Sequence, residues 1–181
     1  DGSTQSLAYN PKPVYGTISN LFTPSVRYWE ADILRWSAEH SLDPDVVATL
    51  VQIESCGDPK AESYAGAASL FQVMPFHFKD TEDPFDIESN AYRGLAYFER
   101  SLEAADGDIG LAFAGYNGGI GVIDMDPSEW AQQTRDYKYW AENIFADIQT
   151  GSSDTIDEWL GSGGHSLCRA AENRLAISST P

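Results

Sequence analysis

One carboxylate in this sequence lies where a general acid can be built. Glu54 ends a helical face whose other members, seven, four and three residues before it, are apolar: Val47, Leu50 and Val51. Removing a carboxylate from water disfavours its charged form and raises its pKa, which suits a general acid at neutral pH. The alternative is an ordinary Glu that bends out to solvent, and the helix alone favours this interpretation. Features further along the chain reverse it.

The predicted helix that carries Glu54 has clear start and stop signals. Asp43 is a preferred N-cap residue, Pro44 suits the first helical position, and Gly57 is a typical C-terminal stop. Another helix is predicted before it, from Thr23-Pro24 to His40, on the helical spacing of Val26, Trp29, Ile33 and Trp36. We therefore expect Glu54 at the C-terminal end of the second helix of the chain.

The remainder of the chain shows helical patterns as well. Asp86 and Asp108 are each followed by a helical pattern that they are expected to cap. Helices are predicted after Asp86 and over residues 109–116, 128–148, 154–160 and 165–177, the last two joined by a Gly-rich segment. No long stretch alternates between apolar and polar residues. The prediction is an all-α fold with at most a small hairpin in residues 57–75.

Composition limits what this protein can bind. At 181 residues, with 42% hydrophobic and 12% aromatic residues, the chain suits one globular domain with a full core. It has 11 Lys and Arg against 28 Asp and Glu, a formal charge of −17 that repels nucleic acid and anionic membranes. No apolar run approaches the roughly 18 residues that span a bilayer. We expect no nucleic-acid partner and no transmembrane segment.

Several short motifs follow one another in a fixed order, and none is specific by itself. They are Glu54-Ser55, Ser63, Gly66-Ala67-x-x-Leu70-Phe71-Gln72-Val73-Met74-Pro75, Asp86-x-x-x-Asn90-x-x-x-Gly94, Ala114-Gly115-Tyr116-Asn117-Gly118-Gly119 and Thr134-Arg135-x-Tyr137. In this order and at this spacing they are highly specific together. Over roughly residues 30–148 the chain resembles the soluble-type lytic transglycosylases of glycoside hydrolase family 23, which share the lysozyme-like fold.

The resemblance implies a lyase that acts on peptidoglycan without a cofactor. The family cleaves the β-1,4 bond between N-acetylmuramic acid and N-acetylglucosamine and leaves a 1,6-anhydromuramic end. One Glu protonates the glycosidic oxygen and then takes the proton of the C6 hydroxyl, which attacks the anomeric carbon. The N-acetyl group of the sugar assists, so the family departs from the two-carboxylate rule. No metal is expected, since no His, Cys and carboxylate cluster has metal-ligand spacing.

By its position in these motifs, Glu54 matches the acid and base of the family. The residues that the resemblance places around the substrate are Ser63, Gln72, Met74, Tyr116, Asn117 and Tyr137. Amide side chains bind sugar hydroxyls and amides while staying neutral, and tyrosine offers an apolar face and a hydroxyl. Core packing is an alternative role for Met74 and Tyr116, as is a turn-forming role for Asn117.

Two positions depart from the usual pattern of the family. Gly is usual where this chain has Ser69, and Gly lets the backbone approach a sugar closely. Ser69 is therefore expected to narrow the cleft or to add a hydrogen bond. Glu is usual where this chain has Gln133, which removes a negative charge near the cleft. His77 is expected near the cleft in a structural role.

The two cysteines, Cys56 and Cys168, form no zinc or redox motif, so they either pair or both stay free. We favour a disulfide because the other signs indicate a secreted or cell-envelope protein. Such a disulfide would fasten the C-terminal tail to the helix of Glu54. The polar opening of the chain, which lacks Met, suits a mature N-terminus after signal removal or the boundary of a fragment.

We predict three segments along the chain. Residues 1–24 are an irregular N-terminal segment, residues 25–149 the catalytic domain, and residues 150–181 a short helical extension packed on the same domain. The expected protein is a monomer, and its expected partner is peptidoglycan or a related N-acetylated glycan.

Two other functions remain open at this point. A hydrolase, either a goose-type lysozyme or a chitinase-like enzyme, needs a second carboxylate to activate water, roughly 6.5–9.5 Å from Glu54 if inverting. Asp58 and Glu62 lie in the right loop, but their polar context predicts both at the surface. The other alternative is a non-catalytic glycan-binding module, against which the residues of the motifs argue: Glu54, Ser63, Gln72 and Tyr116.

Overall fold

A computed structural model describes residues 16–177 and shows a mainly helical protein. Its α-helices are α1 (Pro24–Arg27), α2 (Glu30–His40), α3 (Pro44–Glu54), α4 (Ile87–Ala104), α5 (Ile109–Gly118), α6 (Gln132–Thr150), α7 (Asp154–Trp159) and α8 (His165–Leu175). Short 3-10 helices cover Pro75–His77, Ile120–Asp124 and Pro127–Glu129. The described residues contain no strand, only isolated antiparallel bridges of Ala68 with Glu62 and with Val73. This confirms the predicted all-α class with, at most, a small hairpin in residues 57–75.

Helix α3 runs through the core of the protein. Its residues from Val46 to Gln52 are buried, and it packs against α1, α2 and α6. Asp43 caps it by accepting a 2.9 Å hydrogen bond from the amide of Asp45, and Pro44 takes the first helical position, as predicted. Because α3 ends at Glu54, the last side chain of this buried helix lies at the edge of the core.

The first predicted helix is interrupted in the structure. α1 ends at Arg27 and α2 begins at Glu30, with Trp29 in a non-helical conformation between them. The indole N–H of Trp29 donates a 2.9 Å hydrogen bond to the carbonyl of Gly57, which fixes the ring against the loop after α3. Gly57 has a φ of +84°, and a Cβ there would lie 2.5 Å from the carbonyl oxygen of Ser25. The prediction of one continuous helix was wrong because contacts with this loop break it.

Helix α5 packs against both α4 and α6. Asp86 and Asp108 cap α4 and α5 by accepting 2.9 Å hydrogen bonds from backbone amides, as predicted. Helix α6 begins later than the predicted start at residue 128, because Pro127–Glu129 forms a separate 3-10 helix. The long helices α4 and α6 therefore enclose α5 on two sides.

The C-terminal helices α7 and α8 meet at a Gly-rich kink, Leu160–Gly164, in the predicted place. A disulfide joins Cys168 of α8 to Cys56, with a Cα–Cα distance of 4.9 Å, which confirms the predicted pairing. Arg174 adds an ion pair, with its Nε 2.8 Å from a carboxylate oxygen of Asp58. These two links hold α8 against the loop that follows Glu54. Over residues 16–177, no helix has both the length and the hydrophobicity needed to cross a bilayer.

Candidate active site

A cleft of about 430 Å³ opens beside the C-terminal end of α3. Its lining residues come from α3, the loop after it, α4, α5 and α6, and they are Glu54, Ser63, Ala65, Ala67, Gln72, Val73, Met74, Phe76, His77, Gly94, Tyr97, Tyr116, Asn117, Gly118, Gly119 and Gln133. Among the described residues, Glu54 is the only carboxylate that lines the cleft, and no Lys or Arg lines it. A strongly acidic protein therefore presents a cleft in which a single carboxyl group lies among neutral side chains.

Glu54 is only partly exposed, and the apolar residues that precede it on its helix face are fully buried. This burial raises the pKa of Glu54 to about 8, although a hydrogen bond from Tyr137 opposes the rise. The carboxyl group is therefore mainly protonated at neutral pH. That form can donate a proton to a bound ligand.

Two tyrosines approach Glu54 from different helices. Tyr137 of α6, 7% exposed, donates a 2.7 Å hydrogen bond from its hydroxyl to Oε1 of Glu54. Tyr116 of α5 lines the cleft, and its hydroxyl donates a 2.7 Å hydrogen bond to the carbonyl of Phe71 instead. Burial, and the nearby charge of Glu54, raise the pKa of both tyrosines well above the ordinary value, so both remain neutral donors. Tyr137 thus supports the carboxyl group from the protein side, whereas Tyr116 faces the cleft.

The loop between α3 and α4 brings Ser63 and Gln72 to the cleft. Two hydrogen bonds with Ala67 fix Ser63. The amide of Ser63 donates to the carbonyl of Ala67 at 2.9 Å, and the Oγ of Ser63 accepts from the amide of Ala67 at 3.0 Å. The side-chain NH₂ of Gln72 donates to the carbonyls of Ala61, at 3.1 Å, and Ser69, at 2.9 Å. Both donor hydrogens of Gln72 are therefore held by its own loop. Its side-chain oxygen accepts no hydrogen bond from the described residues and is free to accept one from a ligand.

The remaining predicted residues also lie at the cleft. Met74 lines it and is partly exposed, so it is not simply core filling. Asn117 lies inside α5, with its side-chain oxygen accepting a 3.2 Å hydrogen bond from the hydroxyl of Thr134. The turn predicted at Asn117 occurs instead at Gly119, which has a φ of +88°. Gln133 lines the cleft as expected. The structure thus gathers around one cavity every predicted residue except Tyr137, which lies behind Glu54.

The side chain of Asn90, in α4, forms hydrogen bonds with the backbone of this loop. Its buried amide donates to the carbonyls of Ala68, at 2.8 Å, and Pro84, at 3.1 Å, and its oxygen accepts from the amide of Phe71 at 3.0 Å. Ser69 is fully buried with a φ of +63°, a conformation that glycine adopts more easily. Its hydroxyl donates a 3.0 Å hydrogen bond to the carbonyl of Pro59. Ser69 therefore adds a hydrogen bond within the loop and does not narrow the cleft.

Neither candidate for a second carboxylate lines the cleft. Glu62 is exposed, as predicted. Asp58 is 4% exposed, so its predicted surface position was wrong: α8 covers it and supplies the ion pair with Arg174. Asp58 also accepts a 2.9 Å hydrogen bond from the amide of Lys60, so its carboxylate stabilises the loop and does not face the cleft.

Part of the cleft is an aromatic wall, of which the sequence analysis placed Tyr116 at the substrate and His77 near the cleft but did not single out Phe76 and Tyr97. It consists of Phe76, His77, Tyr97 and Tyr116, whose successive ring centroids are 4.5, 4.8 and 5.8 Å apart. Partial burial, with the charges of Arg100 and Arg93, lowers the pKa of His77, so the ring is neutral at pH 7. Tyr97 lies one helical turn after Gly94, and this spacing could have predicted its position at the cleft. Phe76 follows Pro75 in a short turn, where no periodic pattern marks it.

Residues 32–143, more than half of the chain, match the protein family described as "Transglycosylase SLT domain". The chain belongs to this family, in agreement with the resemblance over residues 30–148. A "Transglycosylase" of Enterobacteria phage PRD1 is 34% identical over 115 residues, covering 62% of this chain and 41% of that protein. The "Membrane-bound lytic murein transglycosylase F" of Desulfosudis oleivorans is 26% identical over 130 residues, covering 59% of this chain and 29% of that protein. The chain thus spans less than half the length of either relative.

Proposed function

We propose that this protein is a peptidoglycan lytic transglycosylase of glycoside hydrolase family 23. It cleaves the β-1,4 bond between N-acetylmuramic acid and N-acetylglucosamine, with Glu54 as acid and then as base, and leaves 1,6-anhydromuramic ends. The observation that carries the proposal is the single carboxyl group that residues 16–177 place in the cleft, with its pKa raised to about 8. Membership of the transglycosylase SLT domain family supports the same substrate.

The proposed reaction returns Glu54 to its starting form. Protonated Glu54 gives its proton to the glycosidic oxygen, the bond from that oxygen to C1 of the muramic sugar breaks, and the N-acetylglucosamine side leaves as an alcohol. The N-acetyl oxygen of the muramic sugar bonds to C1 in its place. The C6 hydroxyl then attacks C1, releases the N-acetyl oxygen and gives its proton to the Glu54 carboxylate. No water is consumed, so one protein carboxyl group suffices.

Tyr137 is proposed as the residue that positions Glu54 through both proton transfers. Its hydroxyl lies 2.7 Å from Oε1 and stabilises the carboxylate that exists between the two steps. Because burial keeps the pKa of Tyr137 well above its ordinary value, the tyrosine retains its own proton. Tyr137 therefore orients the acid without competing with it.

The lining of the cleft supports an uncharged N-acetylated glycan as the ligand. Ser63, Gln72 and Asn117 offer hydroxyl and amide groups, and Met74 and Tyr116 offer apolar surface beside them. Since the described residues place no cation in the cleft, it suits neutral sugars rather than a polyanion. The disulfide supports a secreted or cell-envelope location, where peptidoglycan is found.

The direct test replaces Glu54 with Gln, which keeps the shape of the side chain and removes its proton chemistry. On purified peptidoglycan we expect turnover to fall by about a thousand-fold or more, because the general acid and the general base are lost together. Binding to the insoluble polymer should persist. The exposed loop residue Glu62 provides the matched control, and Glu62→Gln should turn over like the wild type.

Two outcomes distinguish the alternatives. Full activity of Glu54→Gln would place the acid elsewhere and overturn the proposal. Absence of turnover in the wild type, with binding retained, would favour the glycan-binding module instead. A hydrolase is separated by its products, because hydrolysis adds one water to each cleaved end.

A further inference from the structure

Two aromatic side chains beside the cleft are exposed far beyond what packing explains. Tyr64 has a relative exposure of 110% and Phe76 of 74%, the highest among the large apolar side chains of residues 16–177. The chain neighbours of Tyr64, Ser63 and Ala65, both line the cleft, as does Phe76 itself. These rings therefore project at the mouth of the cleft, where they gain nothing from the core.

Both rings are carried on tight turns that abut each other. Tyr64 lies in a turn closed by a 2.9 Å hydrogen bond from the amide of Gly66 to the carbonyl of Ser63. Phe76 lies in a turn closed by a 3.0 Å hydrogen bond from the amide of His77 to the carbonyl of Met74. A Cβ built on Gly66 would lie 3.6 Å from Cγ of Pro75, so the two turns lie side by side.

The ring of Phe76 is also supported from inside the cleft. It contacts the ring of His77 at 4.5 Å, and that ring contacts Tyr97 at 4.8 Å. The aromatic wall therefore runs outward without interruption from Tyr116 beside Glu54 to the exposed ring of Phe76. Rings held in this way lose little conformational freedom when a ligand stacks on them.

We propose that Tyr64 and Phe76 form an accessory glycan-binding rim, which grips sugars of the same strand beyond the bond that is cleaved. This inference rests on the proposed function for its ligand, an N-acetylated glycan strand that continues out of the cleft. Aromatic faces stack on the apolar faces of sugar rings, and the tyrosine hydroxyl adds a hydrogen bond. A net charge of −17 opposes the other common use of exposed rings, attachment to an anionic membrane.

The rim should distinguish long strands from short ones. A short fragment that fills only the cleft reaches Phe76, which lines it, but not Tyr64, whereas a polymeric strand reaches both rings. Replacing Tyr64 and Phe76 together with Ser should raise KM for polymeric peptidoglycan about ten-fold more than KM for a tetrasaccharide fragment.

Matched controls come from exposed tyrosines that do not line the cleft. Tyr28 is 57% exposed and Tyr139 49% exposed, and changing both to Ser should leave the two KM values as they are. Replacing Tyr64 and Phe76 with Trp keeps aromatic surface at the rim and should restore polymer binding. A structural role would not be rescued in this way.

Several results would overturn the rim. If the double Ser variant binds long strands as tightly as the wild type does, or loses affinity for long and short substrates equally, the two rings do not form an accessory site. If the double Ser variant loses the binding of the wild type to neutral phosphatidylcholine vesicles while its binding to long strands is unchanged, the two rings bind a membrane and not a glycan. If the wild type turns over no substrate, the comparison uses Glu54→Gln with and without the Ser substitutions at Tyr64 and Phe76. The difference in their binding to insoluble peptidoglycan tests the rim separately from the proposed reaction.

Discussion

Changing Tyr137 to Phe removes one hydrogen bond from Glu54 and leaves the ring in place. The lost contact is the 2.7 Å bond to Oε1, which lowers the pKa of Glu54 against the larger effect of burial. A hydrogen bond to a charged group contributes about 1.5–3 kcal/mol, and 1.36 kcal/mol corresponds to one pKa unit. Because Glu54 is partly open to the cleft, the lower part of that range applies. The pKa of Glu54 should therefore rise by about one pH unit.

The assay is the pH dependence of kcat/KM on purified peptidoglycan. The first step needs protonated Glu54, so the rate falls as the pH rises through its pKa, near 8 in the wild type. In Tyr137→Phe this alkaline limb should move up by about one pH unit, and the plateau should drop about ten-fold because the intermediate carboxylate loses its donor.

The matched control is Tyr116→Phe. Its hydroxyl donates to the carbonyl of Phe71 and not to Glu54, so the alkaline limb should stay where it is in the wild type even if KM changes. An alkaline limb of Tyr137→Phe that stays in place or moves to lower pH would refute the assignment of Tyr137 as the positioning residue. A shift of equal size in the alkaline limbs of Tyr137→Phe and Tyr116→Phe would mean that losing either hydroxyl changes the pKa of Glu54, so that the effect is not specific to Tyr137.

Three further predictions concern stability. At pH 9 the free energy of unfolding of Glu54→Gln should exceed that of the wild type by about 4–5 kcal/mol, whereas at pH 4.5 the two should be nearly the same, because the raised pKa of Glu54 opposes folding only once the unfolded carboxyl ionises. Removing the disulfide by changing Cys56 and Cys168 to Ala should lower the free energy of unfolding by about 4–5 kcal/mol, as expected for a loop of this length. Asn90→Ala should lose about 2–4 kcal/mol and much of the activity, because it leaves buried partners of the loop unpaired.

Denaturant unfolding measures all three. A Glu54→Gln gain that is the same at both pH values would mean that the carboxyl group is not desolvated. A disulfide-free variant as stable as the wild type would show that the unfolded chain is restricted by other means. For Asn90→Ala, a loss below about 1 kcal/mol would mean that water replaces the missing bonds.

The helices, and the place of Glu54 at the end of one of them, could be predicted because their signals are local. The apolar face before Glu54, the cap at Asp43 and the cap at Asp86 are properties of a few adjacent residues. The interruption at Trp29 was missed, because it depends on a hydrogen bond to Gly57 across the fold. Local periodicity cannot report a contact of that kind.

The immediate surroundings of the acid were only partly predictable. The motifs brought Tyr137 to the site as a residue that lines the cleft, but its position behind Glu54 follows from how α6 packs on α3. Asp58 was expected at the surface because nothing in its own neighbourhood shows that α8 covers it. Phe76 lies in a turn, where no pattern of spacing marks it as part of the cleft.

The proposed reaction depends most on a single carboxyl group that performs both proton transfers. The measurement that tests this directly is the mass of the fragments released from purified peptidoglycan by the wild-type protein. We expect muramic ends in the anhydro form, one water lighter than hydrolysed ends, and no such fragments from Glu54→Gln. Fragments that all carry the added water would contradict the account, because a second group would then have to activate that water.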